Sequence, residues 1–421
     1  MRQFALLESK PAKAAFGLFL FAMLLLARDT LVTSCLLGFN KSQFLMLGLI
    51  CVLGVTFLIV NRREWKAIFT DRRMIAFAVS AVALLLPMVG KGDWQMMYFS
   101  ILICLFFAVF LTYFVSYKEV AKYYVVILSA LGAYSVFATY FLKNLASNGI
   151  LDVPVFYNSN HWDFYNFGLS YVVTWPLWHR NFGIFREPGV YQYFILLALF
   201  LNNYAVDWKK TWKLWVCNVV LAVTMLTTFA IGGFVELGLF VVFLFFEKKW
   251  YKEKWGKIAC STVIAGAIAF AVYLIYRANQ PYFEFTIFFE LYDMAVRLFT
   301  DSNSSTDRMD AILVNAEFFL KNPLLGDAIA EVLHGTNHNT SSTLILYAIL
   351  GLFGGTLNVA AWVALVWKKE RNVIGNLIML VILFMSFNTQ NLVADVFFWL
   401  FPMMALVERG LPKLKLPERK V

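Results

Sequence analysis

Long apolar runs recur along this chain, separated by short polar or charged breaks. A helix needs roughly 20 apolar residues, within about 17–25, to cross a hydrocarbon core of ~30 Å. Runs near that length fall at residues 14–27, 43–60, 74–89, 96–116, 121–142, 189–205, 212–230, 233–247, 257–276, 341–367, 372–388 and 392–407. They predict about twelve membrane-spanning helices, the first of them short. Ala14–Ala27 has the length of a secretory signal, but no small-residue cleavage site follows it, so it reads as a retained helix. The expected fold class is all-α: one integral membrane domain over residues 1–421, with two long outer loops that carry short helices.

Composition strengthens the membrane reading. The chain is 61% hydrophobic and 15% charged, whereas soluble domains carry about 25% charged residues. Such a chain cannot cover its apolar surface with polar groups in water. The net charge of +10 would suit nucleic acid if it were evenly spread, but it is not. With the N-terminus placed in the cytoplasm, 26 of the 36 Lys and Arg fall in inner segments. Among these are NRREWKAIFTDRR (61–73), EKKWYKEKWGK (247–257), WKKERN (367–372) and the tail from Glu408. That asymmetry follows the positive-inside rule and puts both termini in the cytoplasm. The basic clusters set topology and can touch anionic lipid; nucleic acid is not an expected partner. Cys51, Cys104, Cys217 and Cys260 lie in predicted helices and Cys35 in or near the first outer loop. Their spacing suggests neither a zinc site nor a disulfide framework, and no metal is expected.

The outer face then holds two long segments, Lys143 to Pro188 (about 46 residues) and Arg277 to Thr340 (about 64). All four histidines, His161, His179, His334 and His338, fall in them, together with Arg186, Arg297 and Arg308. The first interleaves Trp, Tyr and Phe with Asn, Asp and His. Two readings stay open for it: an interfacial aromatic belt, or a sugar-binding surface in which rings stack on pyranose faces and residues such as His161 and Trp162 bind substrate. In the second, PYFEFTIFFELYDMAVRLF (281–299) reads as an amphipathic helix along the membrane surface. The Ser/Asn/Thr/Asp cluster after it reads as a helix start and Asn322-Pro323 with Gly326 as its stop. Arg308 would then sit in the first turn, where a cation opposes the helix dipole unless an anion lies nearby. Glu236 and Asp395, inside predicted spans, are functional candidates as intramembrane charges.

The most informative stretch is FGIFREPGVYQYF (182–194). Pro188 suits the first position of a helix, and Glu187 complements its positive end. Helix capping accounts for neither Arg186 nor Gln192, one turn further in. An arginine at a membrane surface suits a phosphate, because its planar fork gives bidentate, charge-assisted bonds. In HGTNHNTSSTLILY (334–347), His338 stands just before a predicted span. A histidine with an ordinary pKa of ~6.5 can accept a proton from a hydroxyl near neutral pH.

RNFGIFREPGVYQ (180–192) resembles a turn found in Wzy-type bacterial O-antigen and exopolysaccharide repeat-unit polymerases. Ser305 and Arg308, NPLLGD (322–327), His338-Asn339, and Gly351 with Gly354 are similar in order to the pattern of the O-antigen ligase/polymerase superfamily. The resemblance covers about 180–356 by motif. It implies a glycosyltransferase that needs neither cofactor nor metal and joins oligosaccharides carried on undecaprenyl diphosphate at the outer face of the bacterial cytoplasmic membrane. Carried to matching positions, Arg186 and Arg308 would hold the donor diphosphate, and His338 would orient or deprotonate the acceptor hydroxyl. Glu187 is the rival base; Gln192, Tyr191 and Asn339 would join His161 and Trp162 in binding substrate. The implied partners are the lipid-linked oligosaccharide, membrane lipid, a chain-length regulator and a flippase. Two positions depart from the pattern: Ala328 replaces a second glycine, and Ala230-Ile231-Gly232-Gly233 replaces a Ser-Arg-Gly turn. Rival functions are an oligosaccharide ligase and a flippase or transporter. Against the transporter stand the unequal halves of the chain, since inverted repeats would break at corresponding places.

Overall fold

The structure, a computed structural model, describes residues 9–27, 30–37, 39–60, 71–157, 162–175, 179–254, 258, 261, 302–335 and 339–410. The first half is a series of apolar helices: α1 (Lys10–Leu25), α2 (Phe39–Val60), α3 (Arg72–Lys91), α4 (Met96–Leu111) and α5 (Tyr117–Phe137). A π-helical stretch, Ala138–Leu142, carries α5 into the short α6 (Lys143–Ser147). Helix starts are set by polar caps: Ser9, Asp71 and Ser116 each accept a backbone N–H at the start of α1, α3 and α5. Gly92 ends α3 in the left-handed conformation, φ +65°.

Between α6 and the next helix, three strands form an antiparallel sheet in the order β1 (Val155–Tyr157), β2 (Asp163–Asn166), β3 (Tyr171–Val173). The register pairs Phe156 with Phe164 and Phe164 with Val173. The described residues are mostly helical, as expected, and this small sheet is added to them. It also divides the aromatic residues of the segment by role. Phe164, Tyr171 and Phe182 are buried; Phe156 meets Tyr171 edge-on at 5.2 Å, and Phe164 meets Phe182 at 5.3 Å. These rings form a small core, whereas Tyr157 and Trp175 remain exposed.

The second half contains α7 (Pro188–Tyr204), α8 (Thr211–Thr227), α9 (Ile231–Glu247), α10 (Ser302–Lys321), α11 (Ile329–His334), α12 (Ser342–Val366), α13 (Val373–Phe387) and α14 (Val396–Gly410). Helix α7 is buried on all sides from Val190 to Asn202, as expected of an all-round apolar helix in a bundle centre. It packs on α5, α8, α9 and α13, while α14 packs on α4 and α12. Peripheral helices expose apolar residues outward, including Val52, Val55 and Ile59 on α2, Val79 and Val82 on α3, and Ile374, Leu377 and Val381 on α13. Three helical spans, Arg73–Lys91, Tyr117–Ser147 and Ser342–Val366, are long and apolar enough to cross a membrane. Phe44–Thr56, Met96–Leu111, Thr211–Thr227 and Val373–Phe387 are apolar but shorter. The expected dozen spans are thus met only in part, and the run at 257–276 and the amphipathic segment 281–299 lie outside the described residues, apart from 258 and 261.

Helix α12 is broken. Gly351 adopts φ +63°, ψ −161° inside it, a conformation open essentially to glycine alone. The NPLLGD turn fills the break. Asp327 N donates to the Ala348 carbonyl at 2.7 Å, and Leu352 N donates to the Pro323 carbonyl at 2.7 Å. Lys91, at the end of α3, donates to the carbonyls of Ile349 (2.7 Å) and Asp327 (2.8 Å). Asp93 accepts from Ile329 N at the start of α11 at 2.8 Å. Backbone groups freed by the break are therefore satisfied from outside the helix, as an apolar surrounding requires.

Candidate functional site

The Arg186-Glu187-Pro188-Gly189 turn is held from four directions. Leu31 N donates to the Ile184 carbonyl at 2.8 Å, and Thr30 bridges to Phe185. Tyr171 N in β3 donates to the Gly183 carbonyl at 2.8 Å. Asn181 donates to Ser135 Oγ of α5 and Thr227 Oγ1 of α8, both at 3.0 Å. Arg180 Nη2 donates to the Phe229 carbonyl at 2.8 Å, beyond the end of α8. Gly183 has φ +56°, and a Cβ there would press on the Tyr191 ring at 2.6 Å. The turn is rigid because every segment leading into it is bonded to a different element.

Arg186 stands on this platform with its side chain about one-third exposed (32%), and its Nη2 lies 3.5 Å from Glu187 Oε1. That separation is a loose ion pair. Glu187 occupies the N-cap position of α7, yet its side chain makes no capping bond. Ala230 likewise leaves the start of α9 without a side-chain cap. These two helix starts meet over Gln192: a Cβ on Gly232 would lie 2.9 Å from its Nε2, and one on Gly233 2.8 Å from its Oε1. Gln192 is 3% exposed, and its Oε1 is buried without a hydrogen-bond partner. Helix N-termini attract anions through free N–H groups and the helix dipole.

A second polar segment completes the arrangement. Gly189 faces Gln390, whose Nε2 would lie 2.5 Å from a Cβ there. The Gln390 carbonyl accepts from Ser342 Oγ at the start of α12. Asn388 Oδ1 accepts from Thr343 N at 2.9 Å and Ser341 Oγ at 3.3 Å. Buried oxygens of Thr340, Thr343 and Asn391 have no hydrogen-bond partner. Unpaired buried polar atoms are costly, and several lie in this segment and at Gln192. Asp395 caps α14 next to this segment, accepting from Phe397 N at 2.8 Å.

The sequence-derived candidates separate as follows. Arg186 and Glu187 pair at the turn, and Gln192 lies against the start of α9. Tyr191 is buried, with its hydroxyl 3.2 Å from Ser135 Oγ. Trp162 packs edge-on against Phe182 at 6.1 Å. Asn339 forms a reciprocal amide pair with Asn315 of α10, at 2.8 and 2.9 Å, and donates to the Val332 carbonyl at 3.0 Å. His161 and His338 lie outside the described residues. Arg308 falls on α10, which begins at Ser302, so it lies beyond the first turn and the dipole argument for an anion beside it lapses; its side chain is outside the described part. Gln390, Asn388 and Thr343 were not among the candidates. The amide-rich stretch FNTQN (387–391) between two apolar helices is the signal that could have found them.

Among the described residues, no group of three or more His, Cys, Asp or Glu could hold a metal. No family model, curated protein or solved structure matches the chain.

Proposed function

We propose that this protein is a glycosyltransferase of the bacterial cytoplasmic membrane. In this reading it joins oligosaccharide repeat units carried on undecaprenyl diphosphate into a surface polysaccharide, working at the Arg186–Gly189 end of the bundle. The basic end then faces the cytoplasm with both termini, and the Arg186 end faces outward. One observation supports the reading: Arg186 adjoins the uncapped start of α7, and the uncapped start of α9 lies against Gln192, whose buried side-chain oxygen has no hydrogen-bond partner. An anionic, hydroxyl-rich ligand suits that combination of donors and acceptors.

The reaction follows from these parts. The acceptor hydroxyl oxygen forms a bond to the anomeric carbon of the donor sugar as that carbon's bond to the diphosphate breaks. Undecaprenyl diphosphate leaves with the electron pair, and a base takes the hydroxyl proton. Oxocarbenium character is expected at the anomeric carbon, as in glycoside cleavage. Arg186 offsets the charge growing on the leaving oxygen, where fixed electrostatic stabilisation contributes most. Gln192 and Gln390 orient hydroxyls or phosphate oxygens. His338 is assigned as the base through the family resemblance, and Glu187 is its rival.

The test is a glycan profile of a strain lacking the protein. Single repeat units on the surface acceptor, without long chains, support the polymerase. Long chains retained on the lipid carrier would replace it with a ligase, and repeat units trapped on the cytoplasmic side with a flippase.

A further inference from the structure

The opposite end of the bundle gathers cations that the polymerase reading does not use. Lys368 and Arg371 lie in the turn between α12 and α13, both against one ring: Lys368 Nζ is 4.8 Å and the Arg371 guanidinium carbon 4.6 Å from the Tyr204 centroid. Arg371 Nε donates to Glu247 Oε1 at 2.7 Å, and Tyr204 donates to the other Glu247 oxygen. Lys248 and Arg409 also lie within electrostatic range of Lys368. Glu247 is the carboxylate facing Lys368 and Arg371, while Arg409 lies beside Glu408. Burial, then the charge of Arg371, pushes the Lys368 ammonium below its ordinary range. Arg409 already spends its donors on the Ala364 and Trp367 carbonyls and the Tyr117 hydroxyl. Arg371, with a side chain 5% exposed, keeps a buried Nη2 that has no hydrogen-bond partner.

The surroundings place this cluster at headgroup depth. Trp212 and Trp215, at the start of α8, are exposed, and Trp215 stacks on Trp250 at 5.7 Å. Exposed Trp beside Lys is the pattern of a membrane interface. We propose that Lys248, Lys368 and Arg371, floored by Tyr204, bind the phosphate of an anionic phospholipid headgroup. Basic pockets between helix ends suit such headgroups, and the guanidinium fork suits their oxygens. The inference rests on the membrane placement of the chain and is independent of its reaction.

The test is native mass spectrometry of the full chain in micelles, titrated with phosphatidylglycerol or phosphatidylcholine. Phosphatidylglycerol should bind the wild type at least about tenfold more tightly, and Lys248→Ala/Lys368→Ala should remove that preference. Lys209→Ala/Lys210→Ala, which removes two cations of the same end outside the cluster, should retain it. Melting in phosphatidylcholine checks that both variants are folded. Equal loss in the two double variants would overturn the site in favour of diffuse attraction. Full competition by inorganic phosphate at matched concentration would overturn the lipid in favour of free phosphate.

Discussion

The two ends of the bundle solve the same problem, polar groups beside an apolar body, in opposite ways. At the basic end most cations are anchored. Arg73 bonds Asp71 at 2.7 Å and the Thr112 carbonyl at 3.0 Å while lying 3.7 Å over the Tyr113 ring. Lys118 pairs with Asp207 at 2.9 Å. At the Arg186 end the ion pair is loose, and buried oxygens of Gln192, Thr340, Thr343 and Asn391 have no partner. Residue type alone does not distinguish the ends, since arginine serves at both.

The comparison can be broken by substitution. The largest effect is expected at Arg186. Two charge-assisted bonds at roughly 1.5–3 kcal/mol each correspond to a fall in chain-forming rate of at least about 10² in Arg186→Ala, with protein level and melting temperature unchanged. Arg186→Lys should be impaired too, because a point charge lacks the fork. Wild-type polymer from either variant would remove Arg186 from the mechanism.

Gly351→Ala tests the junction between the two ends. Its Cβ would collide with the Leu324 carbonyl, in a backbone conformation that disfavours any side chain. The expected cost is about 3 kcal/mol, seen as lost folded protein and a lower melting temperature in detergent. An unchanged melting curve would show that the break in α12 relaxes freely.

Arg73→Ala leaves Asp71 without its partner and should cost about 2 kcal/mol of stability, while activity per folded molecule stays at the wild-type level. A loss of specific activity as large as that of Arg186→Ala would erase the distinction between the ends. The smallest effect belongs to Lys118→Ala. Both partners of that bridge are substantially exposed, so stability should change by less than about 0.5 kcal/mol, measured by the same melts.

Continuous apolar runs made most helices legible from sequence. The runs at 189–205, 212–230 and 372–388 became Pro188–Tyr204, Thr211–Thr227 and Val373–Phe387. The sheet at 155–173 was not legible, because its strands are only three or four residues long and their ring–polar alternation also fits an interfacial belt. The break at Gly351 carries no proline to announce it and depends on NPLLGD, some 25 residues earlier in the chain. The turn at 186–189 was legible because a charge there violates the dipole rule locally. Gln390 was not, since it meets Gly189 only across about 200 residues of chain.

The central claim is that the Arg186 end elongates lipid-linked saccharide. The most direct measurement supplies purified protein with the lipid-linked repeat units that accumulate in a strain lacking it, and follows chain length and released undecaprenyl diphosphate. The account predicts a ladder of longer lipid-linked chains with one carrier released per bond formed, both lost in Arg186→Ala. Units that stay single, with no carrier released by folded wild-type protein, would contradict it.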